Sequence, residues 1–401
     1  MLFETLDVKE ECVGIYADSR LIFEESSFPT DLSATWSPSQ FSAPLPVEYV
    51  SLYLEGKNPA TIVPEYLADD WGDALSKLQS FERSFNIAGI DRDEHCFYDL
   101  VPSRFLLDYY KVKSRLTQFV LDHVPRPSRY DFYHYVALML LDIAQKPVTV
   151  DKRFLQSFPS QEPLGKYAQK ILTAPHSVSY NQFGTRTGRL TTHTRSFPIL
   201  TLPKALRSGV KCQNDYYVEI DFNGAEVRTL LGLLGKAQPP EDVHQFHIDA
   251  VFKEDLSREE AKVAFFAWLY GSRKGLGRET EQVLHNFYDK KKLLADHWKD
   301  QAVTTVYGKT IPDVTGHHAL NYIIQSTAAE LLLKQALKIH HLLNRRSAGS
   351  YIAFLIHDSV VLDFKKEDEA LMESVIHLFS STNFGKFGIN IKQGTTLGNL
   401  K

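Results

Sequence analysis

The chain has 401 residues, 43% hydrophobic and 12% aromatic, enough for a large core and for two or three domains. Its 45 Lys and Arg against 49 Asp and Glu leave a net charge of -4, which excludes a uniformly basic nucleic-acid-binding protein but not one with a locally basic cleft. Three distant cysteines (Cys12, Cys96, Cys212) make neither a disulfide framework nor a zinc motif, the start MLFETLDVKEE lacks the bases of a signal peptide, and no apolar run approaches the roughly 20 residues of a membrane span, so the expectation is a soluble protein of a reducing cytoplasm.

Residues 1–100 read as a small N-terminal domain. VGIYADSRLIF alternates as a hairpin turning near Ala17–Asp18–Ser19–Arg20. Phe28 to Pro46 is rich in Ser and Pro and reads as irregular, and Trp71 to Phe85 has helical periodicity. An Asp-x-Glu pair of the kind that opens a proofreading exonuclease site is missing, and Asp7 and Asp18 lack suitable partners. A scaffold, a docking domain or an exonuclease remnant is expected here. Residues 101–185 read as a helical, thumb-like region. FLLDYYKVKSRLTQFVLDHV is amphipathic and carries Lys111, Lys113 and Arg115; Pro125 and Pro127 break it, and YDFYHYVALMLLDIAQK makes a second helix ended by Pro147. The cations read as a solvated face ahead of a rim for a nucleic-acid backbone.

Residues 180–214 change character: the stretch is rich in Thr and Gly and carries Arg186, Arg189, Arg195, Lys204, Arg207 and Lys211, a composition suited to sugar–phosphate contact. YYVEIDF then alternates as a strand, and GAEVRTLLGLLG follows as a helix. Asp221 stands at the strand's C-terminal end; Glu226 lies in the first helical turn, with Arg228 beside it. DVHQFHIDAVF, 242–252, is a short helix whose His244 can point at whatever the next helix binds.

That next helix begins at Ser257. Ser257 and Glu260 form a capping box, and Gly271 marks a stop. Arg258, Lys262, Phe266 and Tyr270 recur every fourth residue, and each step of four advances only about 40° around a helix. Two cations and two rings therefore form one ridge, which suits a nucleoside triphosphate with its phosphates at the cations and its sugar and base at the rings. Lys290, Lys291 and Lys292 read as a solvated helix face, and YGKTIP at 307–312 as a turn. HHALNYIIQSTAAELLLKQALKIHHLL reads as one long helix on which Asn321 and Gln325 share a face; both amides can donate to minor-groove acceptors that every base pair displays. YIAFLIHDSVVLDF, 351–364, reads as two apolar strands around a tight turn at His357–Asp358.

An aspartate between apolar strands is costly unless a cation holds it. If the strands of Asp221 and Asp358 are neighbours, their carboxylates converge and repel at a separation of about 4 Å. Two Mg²⁺ ions, for which Mn²⁺ can stand in, resolve this: one activates an attacking 3′-hydroxyl and the other steadies the triphosphate and the leaving pyrophosphate. Arg258, Lys262 and His244 supply the remaining positive charge.

These residues carry a resemblance. DFNGAEVR at 221–228, REEAKVAFFAWLYG at 258–271 and IHDS at 356–359 resemble motifs A, B and C of family A DNA polymerases, the group of bacterial DNA polymerase I and many phage replicases. TGRL at 187–190 and NYIIQSTAAE at 321–330 resemble two flanking motifs. The resemblance implies an α+β right-hand fold with an antiparallel palm sheet, helical fingers, a reduced helical thumb and a small N-terminal domain. It divides the chain into 186–250 (palm, motif A), 251–307 (fingers, motif B) and 308–401 (palm, motif C). It implies Asp221 and Asp358 as metal ligands, acting with Lys262 in catalysis. It implies Arg258, Lys262 and His244 on the triphosphate, Phe266 at the sugar and Tyr270 near the templating base. Arg189, Asn321, Gln325 and His357 then lie along primer and template. Primer-template DNA and dNTPs are the implied partners, with a separate exonuclease or a processivity factor as further candidates and a bacterial or phage-infected cell as the setting. Three positions depart from the pattern. The motif C glutamate is Ser359, which removes a carboxylate near the metals; a glycine is Ala267; and an arginine four residues before Asn321 is His317.

His-Asp-Ser, and Tyr-Gly-Ser at the end of the ridge helix, are also how single-subunit phage RNA polymerases read. Those enzymes have a small residue five positions after the motif A aspartate, which leaves room for a ribose 2′-hydroxyl. Glu226 fills that room together with Phe266, favouring deoxynucleotides. An RNA-polymerase-like or primer-making enzyme, and a catalytically silent nucleic-acid-binding protein, are the alternatives.

Overall fold

A computed structural model describes residues 1–6, 14–37, 47–90, 95–194, 196–252, 256–270 and 278–401. Asp7, Cys12, Arg195 and the stop expected at Gly271 lie outside the described residues. Two compact units are present, Met1–Gln145 and Lys146–Lys401. This boundary falls inside 101–185, the stretch read as one helical region. Among the described residues no helix is long and apolar enough to cross a membrane.

In the first unit, β1 (Leu2–Thr5), β2 (Ile15–Ala17), β3 (Arg20–Ile22), β4 (Ala34–Thr35) and β5 (Glu48–Tyr49) form a sheet in the order β3-β2-β1-β4-β5. The first three strands pair antiparallel, and β4 and β5 add in parallel. The β2–β3 hairpin turns through Asp18 and Ser19, both left-handed, as its alternation suggested. β4 falls within the stretch read as irregular. Helices α1 (Glu65–Ala88), α2 (Ser103–His123) and α3 (Tyr130–Ala144) stand near the expected ranges. Trp36 beside β4, Trp71 of α1, and Leu116 and Val120 of α2 share one core.

Two expectations fail in this unit. Lys113 is not on a solvated rim: it is 8% exposed and its Nζ lies 4.0 Å from the Glu4 carboxylate of β1. The reason is positional. Leu106, Tyr110, Lys113, Thr117 and Val120 recur at steps of three and four and are all buried, so the lysine sits on the apolar face. Burial pushes the Glu4 carboxyl up to about 7, against the Lys113 charge, and pushes Lys113 down. Cys96 is disulfide-bonded, which corrects the expectation of unpaired cysteines, while Cys212 is free.

The second unit is built on an antiparallel sheet. Strand β6 (Tyr216–Phe222) is central, hairpin strands β7 (Tyr351–Ile356) and β8 (Ser359–Phe364) lie on one side and β9 (Ile389–Gly394) on the other, in the order β7-β8-β6-β9. Both hairpin strands are almost wholly buried, as their unbroken apolar runs require. Around the sheet run α4 (Ala225–Leu233), α5 (Arg258–Leu269), α6 (Arg278–Phe287), α7 (Lys290–His297), the 30-residue α8 (Gly316–Arg345) and α9 (Met372–Ser380). Phe222 of β6 stacks on Phe379 of α9 at 4.2 Å between centroids.

Helix α5 has two faces. Ala261, Phe265, Trp268 and Leu269 recur at helical spacing and enter a core with Leu230 and Leu231 of α4 and Leu320 and Ile324 of α8. The flank of that face carries Arg258, Lys262 and Phe266, the last packed partly against the same core. Lys290 departs from the solvated face expected of its run: its Nζ lies 3.6 Å from the Trp268 ring centroid and donates to the Trp268 carbonyl. Lys292 is solvated and pairs with Asp296 one turn on.

The turn from β6 into α4 is pinned from inside. Gly224 opens the helix at φ +66, and a Cβ there would lie 2.4 Å from Val243. Arg228, fully buried, donates to the carbonyls of Asn223 (2.7 Å), Pro239 (2.8 Å) and Glu241 (2.8 Å). Replacing it with an apolar chain strands three carbonyl acceptors, that of Pro239 buried and those of Asn223 and Glu241 part-buried. Arg228→Met should therefore cost about 3 kcal/mol of stability, read as a lower urea midpoint with the slope unchanged.

Candidate active site

The register of β6 against β8 brings the two aspartates together. Asp221 pairs with Ser359, the residue after Asp358, and the Phe222 N–H donates to the Asp358 carbonyl at 3.5 Å. The hairpin needs only His357 and Asp358 to turn, with His357 left-handed at φ +52. Burial, opposed chiefly by the hydrogen bond from Asn390, and added to by the neighbouring charges of Asp358 and Glu219 against that of Lys392, leaves the Asp221 carboxyl at about 6. Burial likewise raises Asp358, with Glu226 adding to the rise and Arg189 and His357 opposing it.

That donor set suits a divalent cation: the carboxylates adjoin, and no described Lys or Arg forms an ion pair with either. Among the described residues no three ligating side chains cluster closely enough to hold a metal alone. Two carboxylates with substrate phosphates completing the shell is the usual arrangement for Mg²⁺.

The ridge helix starts at the expected capping box, where the Ser257 N–H and hydroxyl donate to Glu260 and the Glu260 N–H donates back. Arg258 does not project freely. Its Nε and Nη2 donate to the two oxygens of Asp242 at 3.2 and 2.9 Å, a bidentate clasp. Lys262 is exposed one turn on. The Phe266 and Tyr270 rings stack at 5.9 Å and 15°. The Tyr270 hydroxyl donates to Glu226, and the Gln325 amide hydrogen-bonds to Tyr270 in turn. Arg189 reaches the other Glu226 oxygen at 2.5 Å. Glu226 thus ties the loop of 187–190, helix α4 and helix α5 into one knot. Asn321 stands one turn before Gln325 on α8, and His357 is exposed at the hairpin tip.

His244 departs from its reading. It is 3% exposed, and burial pushes its imidazole down to about 4 despite Asp242 nearby. At neutral pH it is an uncharged ring 6.2 Å from Phe266 and adds no positive charge. Sequence reasoning also missed Asp242, Asn390 and Glu219. Asp242 takes five donors: Arg258 twice, Asn223, and the N–H groups of His244 and Gln245. Its place as the residue before a short helix was the available signal.

A sheet of this order, flanked by a ridge helix and a long helix on one carboxylate centre, defines the class: the fold is that of a DNA polymerase domain. It is similar to the solved polymerase domain of Pol1 from M. smegmatis in complex with DNA primer-template and dNTP, with a TM-score of 0.59 and 12% identity, covering 74% of this chain and 76% of that one. By sequence the chain is similar to DNA polymerase I of Aquifex aeolicus, 23% identical over 282 residues (57% of this chain, 49% of that protein). It is also similar to the DNA polymerase of Mycobacterium phage D29, 25% identical over 222 residues (47% of this chain, 35% of that protein). The chain spans half or less of these curated relatives. No family model matches it. The resemblance read from the motifs, and the α+β polymerase fold it implied, are borne out by these matches.

The Asp242 clasp has a pH signature. Against the burial that raises it, Arg258, Asn223 and the Gln245 N–H hold the Asp242 carboxyl well below the usual carboxylate range. Unfolded, it returns to about 3.9, so in acid the folded state binds fewer protons than the unfolded state. Its stabilisation is complete above that value and is lost as pH falls toward the folded value. Asp242→Asn should lower stability by a constant amount near neutrality and by progressively less below about pH 4, checked by urea unfolding of both proteins across that range.

Proposed function

We propose that the protein is a template-directed DNA polymerase that adds deoxynucleotides to a primer 3′-hydroxyl and releases pyrophosphate. The observation that carries this reading is the adjacency of Asp221 and Asp358 on paired strands. The Arg258–Lys262–Phe266–Tyr270 ridge, in the same compact unit, adds to it.

Asp221 and Asp358 would hold two Mg²⁺ ions, or Mn²⁺ in their place, which supply Lewis-acid activation of the primer hydroxyl and charge neutralisation at the leaving pyrophosphate. Arg258 exchanges the Asp242 carboxylate for triphosphate oxygens, a like-for-like swap of bidentate acceptors. Lys262 adds a point charge one helical turn along. His244, neutral, offers a ring N–H to phosphate. Phe266 packs against the sugar, and Tyr270 flanks the templating base. Asn321, Gln325, Arg189 and His357 contact primer and template. The palm–fingers–palm division at 186–250, 251–307 and 308–401 belongs to this reading, as do primer-template DNA and a separate exonuclease or processivity factor as partners.

Glu226 decides the sugar. Arg189 and Tyr270 hold its carboxylate in place, where it blocks the volume a 2′-hydroxyl needs. This favours DNA over RNA synthesis, and retention of both aspartates disfavours a silent binder. Primer extension in Mg²⁺ with dNTPs and with NTPs tests all three. The parent should extend with dNTPs, and Asp358→Asn should lose on the order of 10³-fold. Glu226→Ala should gain ribonucleotide incorporation on the order of 100-fold. A parent that uses both sugars equally removes the gate, and a parent that extends with neither removes the polymerase.

A further inference from the structure

Motif C lacks its usual glutamate, and Ser359 stands in its place. The face of the sheet around Ser359 carries another carboxylate, that of Glu219. Side chains alternate along a strand, so Glu219 and Asp221 of β6 project to the same side. Asp221 is the cross-strand partner of Ser359 on one flank and of Asn390 on the other. Glu219 is one step back, opposite Lys392 of β9. The Ser359 hydroxyl donates to Glu219 Oε1 at 3.3 Å, and Lys392 Nζ lies 3.6 Å from its other oxygen. The Glu219 side chain is 15% exposed, too enclosed for an ordinary surface acid.

We propose that Glu219, reaching across the strand pair to Ser359, takes over the task of the missing motif C carboxylate as a positioning residue of the Asp221–Asp358 centre. It does not complete a ligand set, because no three described acids lie close enough to share an ion. It acts just outside the two aspartates. Its charge is felt at Asp221 and draws a hydrated divalent cation toward that side of the site. Lys392 and Ser359 fix its rotamer, and Lys392 offsets part of its charge until a cation arrives. The carboxylate has moved from β8 to β6, and the hydroxyl now occupies the β8 position. This inference rests on the polymerase reading and narrows it to a residue that the motifs do not include.

The test is Mn²⁺ binding, followed by electron paramagnetic resonance on the full chain with a dideoxy-terminated primer-template and dNTP, so that no turnover is needed. Mg²⁺ dependence of extension is measured in parallel. Glu219→Gln should weaken Mn²⁺ binding roughly tenfold and raise the Mg²⁺ needed for half-maximal extension by a similar factor. The exchange Glu219→Ser with Ser359→Glu should recover most of both. Lys392→Met, on an exposed strand, should tighten Mn²⁺ binding in the parent and have no such effect in a Glu219→Gln background. Parent-like binding by Glu219→Gln, or equal Lys392→Met effects in both backgrounds, overturns the proposal. If Glu219→Gln does not fold, a Lys392→Met protein that binds Mn²⁺ as the parent does overturns it equally. A parent that extends primers while the Glu219 variants match it defeats only this inference; a parent that never extends defeats the polymerase reading itself.

Discussion

The second unit depends on one electrostatic conflict. Strand pairing forces two carboxylates into adjacency at the end of β6 and the tip of the β7–β8 hairpin, where burial already disfavours their charge. A fold gains nothing from this by itself: like charges in a half-buried site destabilise it. On the proposed reading a divalent cation bound between the two would reverse the sign of that conflict. Everything nearby keeps the pair in place. The hairpin strands are nearly all apolar, β6 is hydrogen-bonded on both sides, and Phe222 is stacked on Phe379 beneath the site.

Positive charge is managed in the opposite way. Arg258, aligned by a capped helix, is kept occupied by a carboxylate of the protein's own. Asp242 holds the guanidinium in the two-pronged geometry a phosphate uses, so ordering has been achieved before any anion arrives. Glu226 does the same for the aromatic end of the ridge by holding Tyr270 and Arg189 at once. The two acids hold opposite ends of one surface in place, and on the proposed reading both would be displaced or shared when substrate enters.

Much of this was legible from periodicity. The strand at 216–222, the hairpin at 351–364 and the long helix of Asn321 and Gln325 stand where alternation and helical spacing put them. These are local signals, and tertiary forces did not override them. The errors share another feature. Lys113 and Lys290 were read from residue type as solvated and His244 as a positive charge for a bound anion, yet each is enclosed by packing. A side chain's solvation depends on what packs over it, which spacing does not encode. The disulfide of Cys96 was missed because cysteine pairing depends on which segments the fold brings together, which spacing does not encode either.

The sequence by itself determined which chemistry was available: one aspartate at a strand end and another in a hairpin turn, a cation–aromatic ridge, and a glutamate in the first helical turn after the strand. Those depend on local propensity and residue identity. Only the tertiary structure decided that the aspartates meet, that Arg258 rests on Asp242, and that Glu219 faces the serine where a glutamate is expected. Such relations are set by strand register and helix docking. A one-residue shift of strand register would turn Asp221 and Glu219 to the other face, and Arg258 meets Asp242 only through helix docking, so no reading of a single segment could have supplied these relations.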